Sequence, residues 1–355
     1  MKCLLFMVLF LPVVYSQSQV NSDRCGKGSL SCEFPTGRIS GGKDTCSEMQ
    51  PWHALIKFQR KSHLKCGGVL ITEQHVLSAA HCYWSNGDNC PAKFHSFTLE
   101  QCRDDKHCPH YDCRRFGEHD ILVYLGVTDS TELGYGEVRT LKKLDLHQGW
   151  VKETQLNGIL QGNDLALLTL RSRVDTACTH IMPICLPLQP SVIGKMAYVV
   201  GFGLSSRLIQ PTTRLQKAEV QIMECENRAG NKKWPISGNQ LCALGEETDK
   251  TIIGDTCKGD SGGGLFCFDA VNNRNYLLGI TSFGEDLCGI TDSRPGVYTN
   301  VYDHKDWIEA MIKENGSDNK CALRSGPDMP PQEPVAVKTT VILLGGRVGK
   351  YLYLY

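Results

Sequence analysis

The sequence predicts an all-β protein with one C-terminal helix. Apolar stretches of strand length recur through residues 39–315 and are separated by Gly, Pro, Asn and Asp, a pattern typical of barrels and sandwiches of short strands. The end of this region has a helical apolar pattern instead. The chain also has 18 cysteines, a load that is normal in an oxidised extracellular protein and heavy in a cytosolic one.

The strand prediction depends on short apolar runs bounded by turn-forming residues. Each run is long enough for one strand and too short for a buried helix. The runs are Val69–Ile71, Ile121–Leu125, Leu165–Leu170, Tyr198–Val200 and Leu277–Ile280.

The helix prediction covers Tyr302–Glu314. Apolar residues there recur at helical spacing, which gives the segment one apolar face: they are Trp307, Ile308, Met311 and Ile312. The helix is expected to end near Asn315-Gly316. Asn315-Gly316-Ser317 also matches the acceptor triplet for N-glycosylation, so Asn315 is a predicted glycan site.

The N-terminus predicts export. Lys2 precedes an apolar run from Cys3 to Val14, and small Ser16 follows, so residues 1–16 are interpreted as a signal peptide. The run is well short of the roughly 20 residues of a membrane-spanning helix. Residues 17–38 are polar and Gly/Ser-rich and predict a pro-segment. The mature protein is therefore expected to be secreted and extracellular.

Two further regions differ from the predicted domain of residues 39–315. A polar insertion at about residues 90–115 combines histidines with cysteines at spacings that match no zinc pattern, so disulfides are the expected use. Within residues 316–355, residues 325–336 are Pro-rich, and the last stretch contains a short apolar run, Val341–Leu344, followed by charged residues. This composition predicts a disordered tail and matches a lipid-anchor signal poorly.

The charge balance gives no support to one class of partner. Lys plus Arg and Asp plus Glu number 38 each, so the formal net charge at pH 7 is zero. Nothing in this balance predicts binding to nucleic acid or to an anionic membrane. No cofactor and no metal is predicted.

Three segments carry the residue types of nucleophilic catalysis. They are Leu77–Cys82 with His81, Gly162–Leu167 with Asp164, and Asp255–Gly263 with Ser261. A serine hydroxyl is a weak nucleophile at neutral pH and needs a base beside it, and imidazole titrates in the right range. Each segment alone has a structural alternative, a strand-end histidine or a turn.

In this order, and preceded by Arg38-Ile39-Ser40-Gly41-Gly42, the segments resemble the trypsin/chymotrypsin family over roughly residues 25–315. The resemblance implies two antiparallel six-stranded β-barrels, with the active site in the cleft between them and a C-terminal helix. It implies a catalytic triad of His81, Asp164 and Ser261. The backbone N–H groups of Gly259 and Ser261 would form the oxyanion hole.

The same resemblance implies activation by cleavage. The bond would be Arg38–Ile39, and the new α-amino group of Ile39 would pair with buried Asp260 beside the nucleophile. That pair would order the oxyanion hole and the specificity pocket. Arg38 implies cleavage by a trypsin-like activator, or by the protein itself.

Specificity for Arg and Lys is also implied. Asp255, six residues before Ser261, matches the base of a trypsin-type pocket, where a buried carboxylate favours a cationic side chain. The alternative is a surface-turn aspartate. The family's other substrate-binding positions correspond to Ser282, Gly284 and Gly296. Phe202 and Phe283 stand where the family usually has Trp, which predicts altered contacts with extended substrates.

By resemblance, four disulfides are expected: Cys66–Cys82, Cys225–Cys242, Cys257–Cys288 and a bond from the pro-segment to Cys185. Cys25 is favoured over Cys32 for the last bond, which would keep the cut pro-segment attached as a light chain. The usual partner position of Cys267 falls near Ala197. No partner is predicted for Cys32, Cys46, Cys90, Cys102, Cys108, Cys113, Cys178, Cys267 and Cys321.

The sequence thus predicts a secreted serine endopeptidase that hydrolyses protein or peptide substrates after Arg or Lys through an acyl-enzyme. Protein inhibitors of proteases are expected partners. One alternative is a non-catalytic homologue that acts as an extracellular binding or cofactor protein, against which the intact triad weighs. Another is a disulfide-rich adhesive module in which the insertion at about residues 90–115 binds, a role compatible with catalysis.

Overall fold

The computed structural model describes twelve segments of the chain. All lie within the compact unit Met1–Ser317. They are residues 24–28, 43–45, 50–83, 116–151, 159–176, 180–203, 213–227, 229–245, 247–249, 252–253, 255–285 and 293–316. The predicted signal peptide, most of the pro-segment, the cysteine-rich insertion and the predicted tail lie outside them.

Six strands from the first half of the chain close into an antiparallel barrel. They are β2 (His53–Phe58), β3 (Lys61–Thr72), β4 (His75–Ser78), β5 (Ile121–Leu125), β6 (Glu137–Leu146) and β7 (Ala166–Leu170). Around the barrel the order is β2-β3-β4-β7-β6-β5. We call this barrel 1.

Side-chain alternation explains why these residues form a barrel. In β5, Ile121, Val123 and Leu125 are fully buried, whereas Leu122 and Tyr124 between them are only half-buried. Alternate residues of a strand point to opposite faces of the sheet, so every second residue faces the barrel interior.

A second set of six strands closes in the same way. The strands are β8 (Met196–Gly201), β9 (Gln216–Met223), β10 (Gln240–Leu244), β13 (Gly264–Asp269), β14 (Arg274–Phe283) and β15 (Gly296–Asn300). They follow the order β9-β10-β15-β14-β13-β8, and a pairing between β8 and β9 closes the ring. We call this barrel 2. The predicted architecture of two six-stranded antiparallel barrels is confirmed.

Short elements complete the described part. β1 (Lys43–Asp44) adds to the edge of β9, and β11 (Glu247–Asp249) pairs with β12 (Ile252–Ile253). Helix α1 covers Gln148–Val151, and 3₁₀ turns cover Ala80–Tyr83, Glu118–Asp120 and Leu133–Tyr135.

The C-terminal helix, α2, covers Lys305–Gly316. Its buried residues Ile308 and Ile312 belong to the predicted apolar face. The helix begins later than the predicted Tyr302, because Asn300 holds the preceding residues in a turn. The Asn300 side-chain oxygen accepts from Tyr302 N at 3.2 Å, and its backbone oxygen lies 2.8 Å from His304 Nδ1.

Three disulfides connect the described residues: Cys25–Cys185, Cys66–Cys82 and Cys225–Cys242. The first attaches residues 24–28 to barrel 2, as the choice of Cys25 anticipated. Gly26 reinforces it, since Gly26 N donates to Pro183 O at 2.8 Å and Gly26 O accepts from Asn275 N at 2.9 Å. Cys257 is disulfide-bonded, and Cys288 lies outside the described residues.

Cys267 is a free thiol buried in the second barrel's core. Pairing of β13 with β8 sets Leu265 opposite Val199 and Phe266 opposite Tyr198. The next step of this register brings Cys267 beside Ala197, the position where a cysteine partner was expected from the family pattern. Burial raises the pKa of this thiol, which keeps it protonated and unreactive.

Candidate active site

The predicted general base is presented by barrel 1. His81 lies in the 3₁₀ turn Ala80–Tyr83, directly after β4. The Cys66–Cys82 disulfide ties this turn to β3. The His81 side chain is 19% exposed, so a covalently braced turn holds a histidine that still opens to solvent.

Asp164 lies directly beneath this histidine. Its side chain is fully buried, and its Oδ2 lies 2.7 Å from His81 Nδ1. Its Oδ1 accepts a second hydrogen bond, from the backbone N–H of His81, at 2.9 Å. With Nδ1–H directed at a carboxylate, His81 Nε2 is left as the proton acceptor, which is the tautomer a general base requires.

Barrel 2 holds the same carboxylate from the other side. Ser282 Oγ donates to Asp164 Oδ2 at 2.5 Å, and Thr299 Oγ1 donates to Asp164 O at 3.0 Å. The resemblance assigned Ser282 to substrate binding, and its side chain has this additional contact. Thr299 was not predicted, because it lies 135 residues from Asp164 in the chain and belongs to an ordinary strand pattern.

Asp164 sets the protonation behaviour of His81. Burial alone would lower the pKa of His81, but the charge of Asp164 and its hydrogen bond to Nδ1 outweigh burial and raise that pKa above its ordinary value of 6.5. The imidazolium form is therefore stabilised in this site, as a group that takes up a proton during reaction needs.

Ser261 is presented by the turn that precedes β13. Its carbonyl oxygen accepts from Gly67 N at 2.7 Å, a hydrogen bond that joins barrel 2 to β3 of barrel 1. The same oxygen lies 3.8 Å from Cys82 Sγ, and His81 Nε2 lies 4.0 Å from that sulfur. The Cys82 sulfur thus lies close to both Ser261 and His81, which are 180 positions apart in the sequence.

Two glycines give the Ser261 turn its shape. Gly259 has φ +100° and Gly262 has φ +81°, both in the left-handed region that favours glycine. A Cβ at Gly262 would overlap Ser78 Oγ and Gly67 O. The turn around Ser261 therefore requires glycine at positions 259 and 262.

Asp260, between these glycines, is a buried carboxylate held by backbone donors. Gly203 N donates to its Oδ1 at 2.8 Å and Cys257 N to its Oδ2 at 2.9 Å. Burial raises the pKa of Asp260 to about 6, although these two N–H groups and the charge of Lys65 oppose the rise. Its predicted partner, Ile39, lies outside the described residues, as does Arg38.

The predicted pocket residues come together. Asp255 is only 3% exposed, which is inconsistent with the surface-turn alternative. A Cβ on Gly296 would lie 3.0 Å from Asp255 Oδ1, and one on Gly284 would lie 3.8 Å from Gly296 Cα. Both glycines therefore leave space above a buried carboxylate. Thr256 N donates to Asp255 Oδ1 at 2.8 Å.

An aromatic wall next to this pocket was only partly predicted. Phe283, one residue from Gly284, meets Trp234 edge to face at 5.1 Å between centroids. Trp234 Nε1 donates to Pro295 O at 2.8 Å, and the Arg294 guanidinium lies 3.4 Å above the Trp234 ring. Position 283, where the family usually has Trp, thus holds a Phe whose ring contacts the indole of Trp234 from another loop. No local sequence pattern indicates this contact.

Asn315 is engaged at the end of α2. Its Nδ2 donates to Asp145 Oδ2 at 2.9 Å and to Thr169 Oγ1 at 3.0 Å, and its Oδ1 accepts from Lys143 Nζ at 2.8 Å. Both Nδ2 hydrogens are therefore used within the folded protein. Glycosylation of this nitrogen stays a prediction, and a glycan there has to replace these contacts.

The described residues contain neither a metal-binding cluster nor a membrane-spanning helix. No group of three or more His, Cys, Asp or Glu side chains is arranged to hold a metal ion there. In the same residues, no helix has the length and apolar character of a membrane span. The histidines and cysteines of the insertion at about residues 90–115 lie outside these residues.

The chain is similar to a known protein family and to individual proteases of insects and vertebrates. The family model named Trypsin matches residues 39–98 and 105–308. CLIP domain-containing serine protease B9 of Anopheles gambiae is 30% identical over 286 residues, which is 78% of this chain and 64% of the mosquito protein. Phenoloxidase-activating factor 1 of Holotrichia diomphalia is 30% identical over 285 residues, covering 78% and 70% of the two chains.

A vertebrate protein gives a similar result. Mannan-binding lectin serine protease 1 of Mus musculus is 32% identical over 285 residues, 77% of this chain but only 35% of the mouse protein. The match to the first of the insect relatives also spans slightly less than two thirds of that protein. The likeness thus concerns the two-barrel region.

Proposed function

The chain belongs to the trypsin family and carries a serine-type endopeptidase domain, and from this premise we propose that the whole protein is a secreted zymogen that, once cut, hydrolyses protein substrates after Arg or Lys. The observation that carries this proposal is the buried Asp164 bonded to His81 at 2.7 Å, on the barrel that faces the Ser261 turn. The family membership makes the chemistry an acyl transfer to serine.

The mechanism assigns one role to each triad residue. Ser261 Oγ attacks the scissile carbonyl carbon as its proton passes to His81 Nε2, and Asp164 stabilises the imidazolium that results. The N–H groups of Gly259 and Ser261 donate to the oxyanion of the tetrahedral intermediate. His81 then gives its proton to the leaving amine, and a water molecule activated by His81 hydrolyses the acyl-enzyme.

Substrate choice is assigned to Asp255. Asp255 is 3% exposed, and the neighbouring positions Gly284 and Gly296 carry no side chain that would block access to its carboxylate. Binding of Arg or Lys places the opposite charge beside Asp255, an attraction that a neutral side chain does not supply. This supports cleavage after Arg and Lys.

Activation is assigned to the Arg38–Ile39 bond. The new α-amino group of Ile39 would pair with Asp260, whose raised pKa is the mark of a buried carboxylate that lacks a full charge partner. The Cys25–Cys185 disulfide would keep the released pro-segment attached. The disulfides also support an oxidising, extracellular location.

The proposed substrates are other proteins cut at few sites. Relatives carry the names phenoloxidase-activating factor and melanization protease, which supports limited proteolysis over general digestion. Protein protease inhibitors and a trypsin-like activator are the proposed partners. We propose that a glycan at Asn315 is added before α2 docks on barrel 1, because both Nδ2 hydrogens are used once the helix is docked.

Labelling with a fluorophosphonate probe tests the proposed nucleophile. The full chain is treated with trypsin immobilised on beads, the beads are removed, and the probe is added to the cut chain. We expect labelling of wild type, none of Ser261→Ala, and unchanged labelling of the control Ser237→Ala. A cut wild-type chain that takes no label would favour the alternative of a non-catalytic homologue.

A further inference from the structure

Lys65 makes contacts at the active site that the mechanism above does not use. It lies on β3, next to Cys66, and its side chain is half-buried. Its Nζ donates to Phe202 O at 2.6 Å and lies 5.9 Å from the Phe202 ring centroid. A lysine of barrel 1 is therefore fastened to the loop of barrel 2 that follows β8.

This loop is the one that holds Asp260. Phe202 is followed by Gly203, whose N–H donates to Asp260 Oδ1 at 2.8 Å. The carbonyl that accepts from Lys65 and the N–H that donates to Asp260 belong to consecutive residues, so the ammonium group and the carboxylate are joined through one short backbone segment.

The aliphatic part of Lys65 also reaches the oxyanion-hole glycine. A Cβ built on Gly259 would lie 3.4 Å from Lys65 Cε and 3.2 Å from Gly203 Cα. Lys65 and the Asp260-binding loop thus both lie against the face of Gly259 from which a side chain would project. Any displacement of Lys65 would remove a wall that limits where the Gly259 N–H can point.

Charge supports the same assignment. Asp260 raises the pKa of Lys65 and Lys65 lowers the pKa of Asp260, each against the effect of burial, which is the largest influence on both. Lys57, opposite Lys65 across the β2–β3 pair, lowers the pKa of Lys65. Among the described residues, Lys65 is the cation whose charge lowers the pKa of Asp260.

We propose that Lys65 is a positioning residue for the oxyanion hole, whose ammonium group serves Asp260 as counter-charge while the Arg38–Ile39 bond is intact. The inference rests on the proposed function, since it gives Asp260 the same role in the uncut as in the cut chain. It adds that the uncut chain holds its oxyanion hole partly ordered and therefore hydrolyses Arg and Lys peptide amides at a low, measurable rate.

Loss of Lys65 should therefore affect the activity of the uncut chain more than that of the cut chain. In the uncut chain, loss of Lys65 removes the counter-charge of a buried carboxylate, and kcat falls while KM stays nearly constant, because the oxyanion hole acts in the transition state. In the cut chain the α-amino group of Ile39 supplies that charge, and the same loss has little effect. A residue that merely stabilised the fold would affect both forms alike.

The test measures kcat and KM for an Arg peptide amide with the full chain, both uncut (in an Arg38→Gln background) and cut at Arg38–Ile39. We expect Lys65→Met to lower kcat of the uncut form about 10-fold, as loss of a partly screened charge pair predicts, and that of the cut form by less than about 2-fold. Lys65→Arg should retain most of the uncut activity, and the control Lys313→Met, at an exposed position of α2, should leave both forms unchanged.

Three results would overturn the inference: an uncut wild-type chain with no activity beside an active cut chain, an unchanged uncut rate in Lys65→Met, or equal losses in both forms. The activity of cut Lys65→Met reports that the variant folds. A cut wild-type chain that is inactive, with cleavage verified, would instead defeat the proposed function on which this inference stands.

Discussion

Asp164 receives hydrogen bonds from both barrels, and each of them orients the catalytic histidine or the carboxylate itself. His81 supplies two of these bonds from barrel 1, and Ser282 supplies one from barrel 2. The carboxylate is therefore held in a fixed position although it is fully buried. Its removal should change the protonation of His81 and the rate together.

Replacement of Asp164 by Asn is the first residue-scale prediction. The amide can no longer stabilise the imidazolium, so we expect kcat/KM for an Arg amide to fall by about 10⁴-fold, the loss measured for this change in a Ser–His–Asp triad. Activity needs neutral His81 and rises with pH through its pKa. The wild-type midpoint should lie above 6.5, since Asp164 raises that pKa, and should move down in Asp164→Asn.

A pH–rate profile from pH 5 to pH 9 checks both parts. The control is Asp306→Asn, an exposed carboxylate of α2, which should leave rate and midpoint unchanged. A wild-type midpoint below 6.5, or a variant with full activity, would contradict the assigned role of Asp164.

Asp255→Ser is the second residue-scale prediction. Without the buried carboxylate nothing compensates a cationic side chain in the pocket, and we expect kcat/KM for Arg and Lys amides to fall by about 10⁴-fold. The rate for a Phe or Ala amide should change far less. Asp306→Ser is the matched control. If Asp255→Ser keeps its preference for Arg and Lys, the pocket is wrongly assigned.

At the scale of the element, α2 depends on contacts between histidines. His147 in the loop before α1 meets His304 at 5.0 Å and Trp307 at 5.1 Å between ring centroids, both nearly perpendicular. Burial, with a smaller contribution from His304, lowers the pKa of His147 to about 4. Both rings are therefore neutral when the helix is docked at neutral pH.

The docked helix should weaken in acid. An unfolded histidine binds its proton near pH 6.5 and folded His147 only near pH 4, so the unfolded state gains protons first and stability falls as the pH drops from about 6.5 to 4. In His147→Phe this loss should be smaller by several degrees of Tm, since 1 kcal/mol shifts Tm by about 2–4 °C in a domain of this size.

Thermal unfolding at pH 4.5, 5.5 and 7 measures this difference. Loss of the hydrogen bond from Gly149 N to His147 Nδ1 should lower Tm at every pH, and the test depends only on the change between pH values. His63 is exposed, and the control His63→Phe should show the same dependence of Tm on pH as wild type. If Tm falls equally with decreasing pH in wild type and in His147→Phe, the prediction is refuted.

Elements with a strong local pattern were predicted almost to the residue. Strand β5 has the predicted bounds Ile121–Leu125, because every second side chain faces the core. The start of α2 was missed because a side chain, Asn300, decides it. Contacts such as Ser282 with Asp164 or Lys65 with Phe202 join residues more than 100 positions apart, and no local pattern encodes which strand ends meet.

At the scale of the whole molecule, the two barrels each supply one part of the active site. Barrel 1 carries His81, Asp164 and Lys65, and barrel 2 carries Ser261, Asp255 and Asp260. The hydrogen bond from Gly67 N to Ser261 O and the Lys65–Phe202 contact join the two parts. The triad and its place in a cleft between two barrels were implied by the family resemblance, whereas the contacts that join the two parts were not predicted.

The coupling of cleavage to catalysis gives a whole-molecule prediction. In Asp260→Asn the Arg38–Ile39 bond should still be cut, and kcat/KM should fall by about 10²-fold or more, because removal of one partner of a buried ion pair costs about 3–5 kcal/mol. N-terminal sequencing that finds Ile39 verifies the cut. Asp269→Asn, on the β13–β14 hairpin, is the control. Full activity of cut Asp260→Asn would exclude the ion pair as the activating contact.

One measurement tests the central claim most directly: hydrolysis of matched Arg, Lys, Phe and Ala peptide amides by the full chain, before and after a trace of trypsin that is then inhibited. We predict that kcat/KM for the Arg and Lys amides rises at least about 10-fold after the cut, with Phe and Ala amides remaining poor substrates. A chain that is cut at Arg38–Ile39 and hydrolyses none of the four amides would contradict the claim that it is an activatable protease.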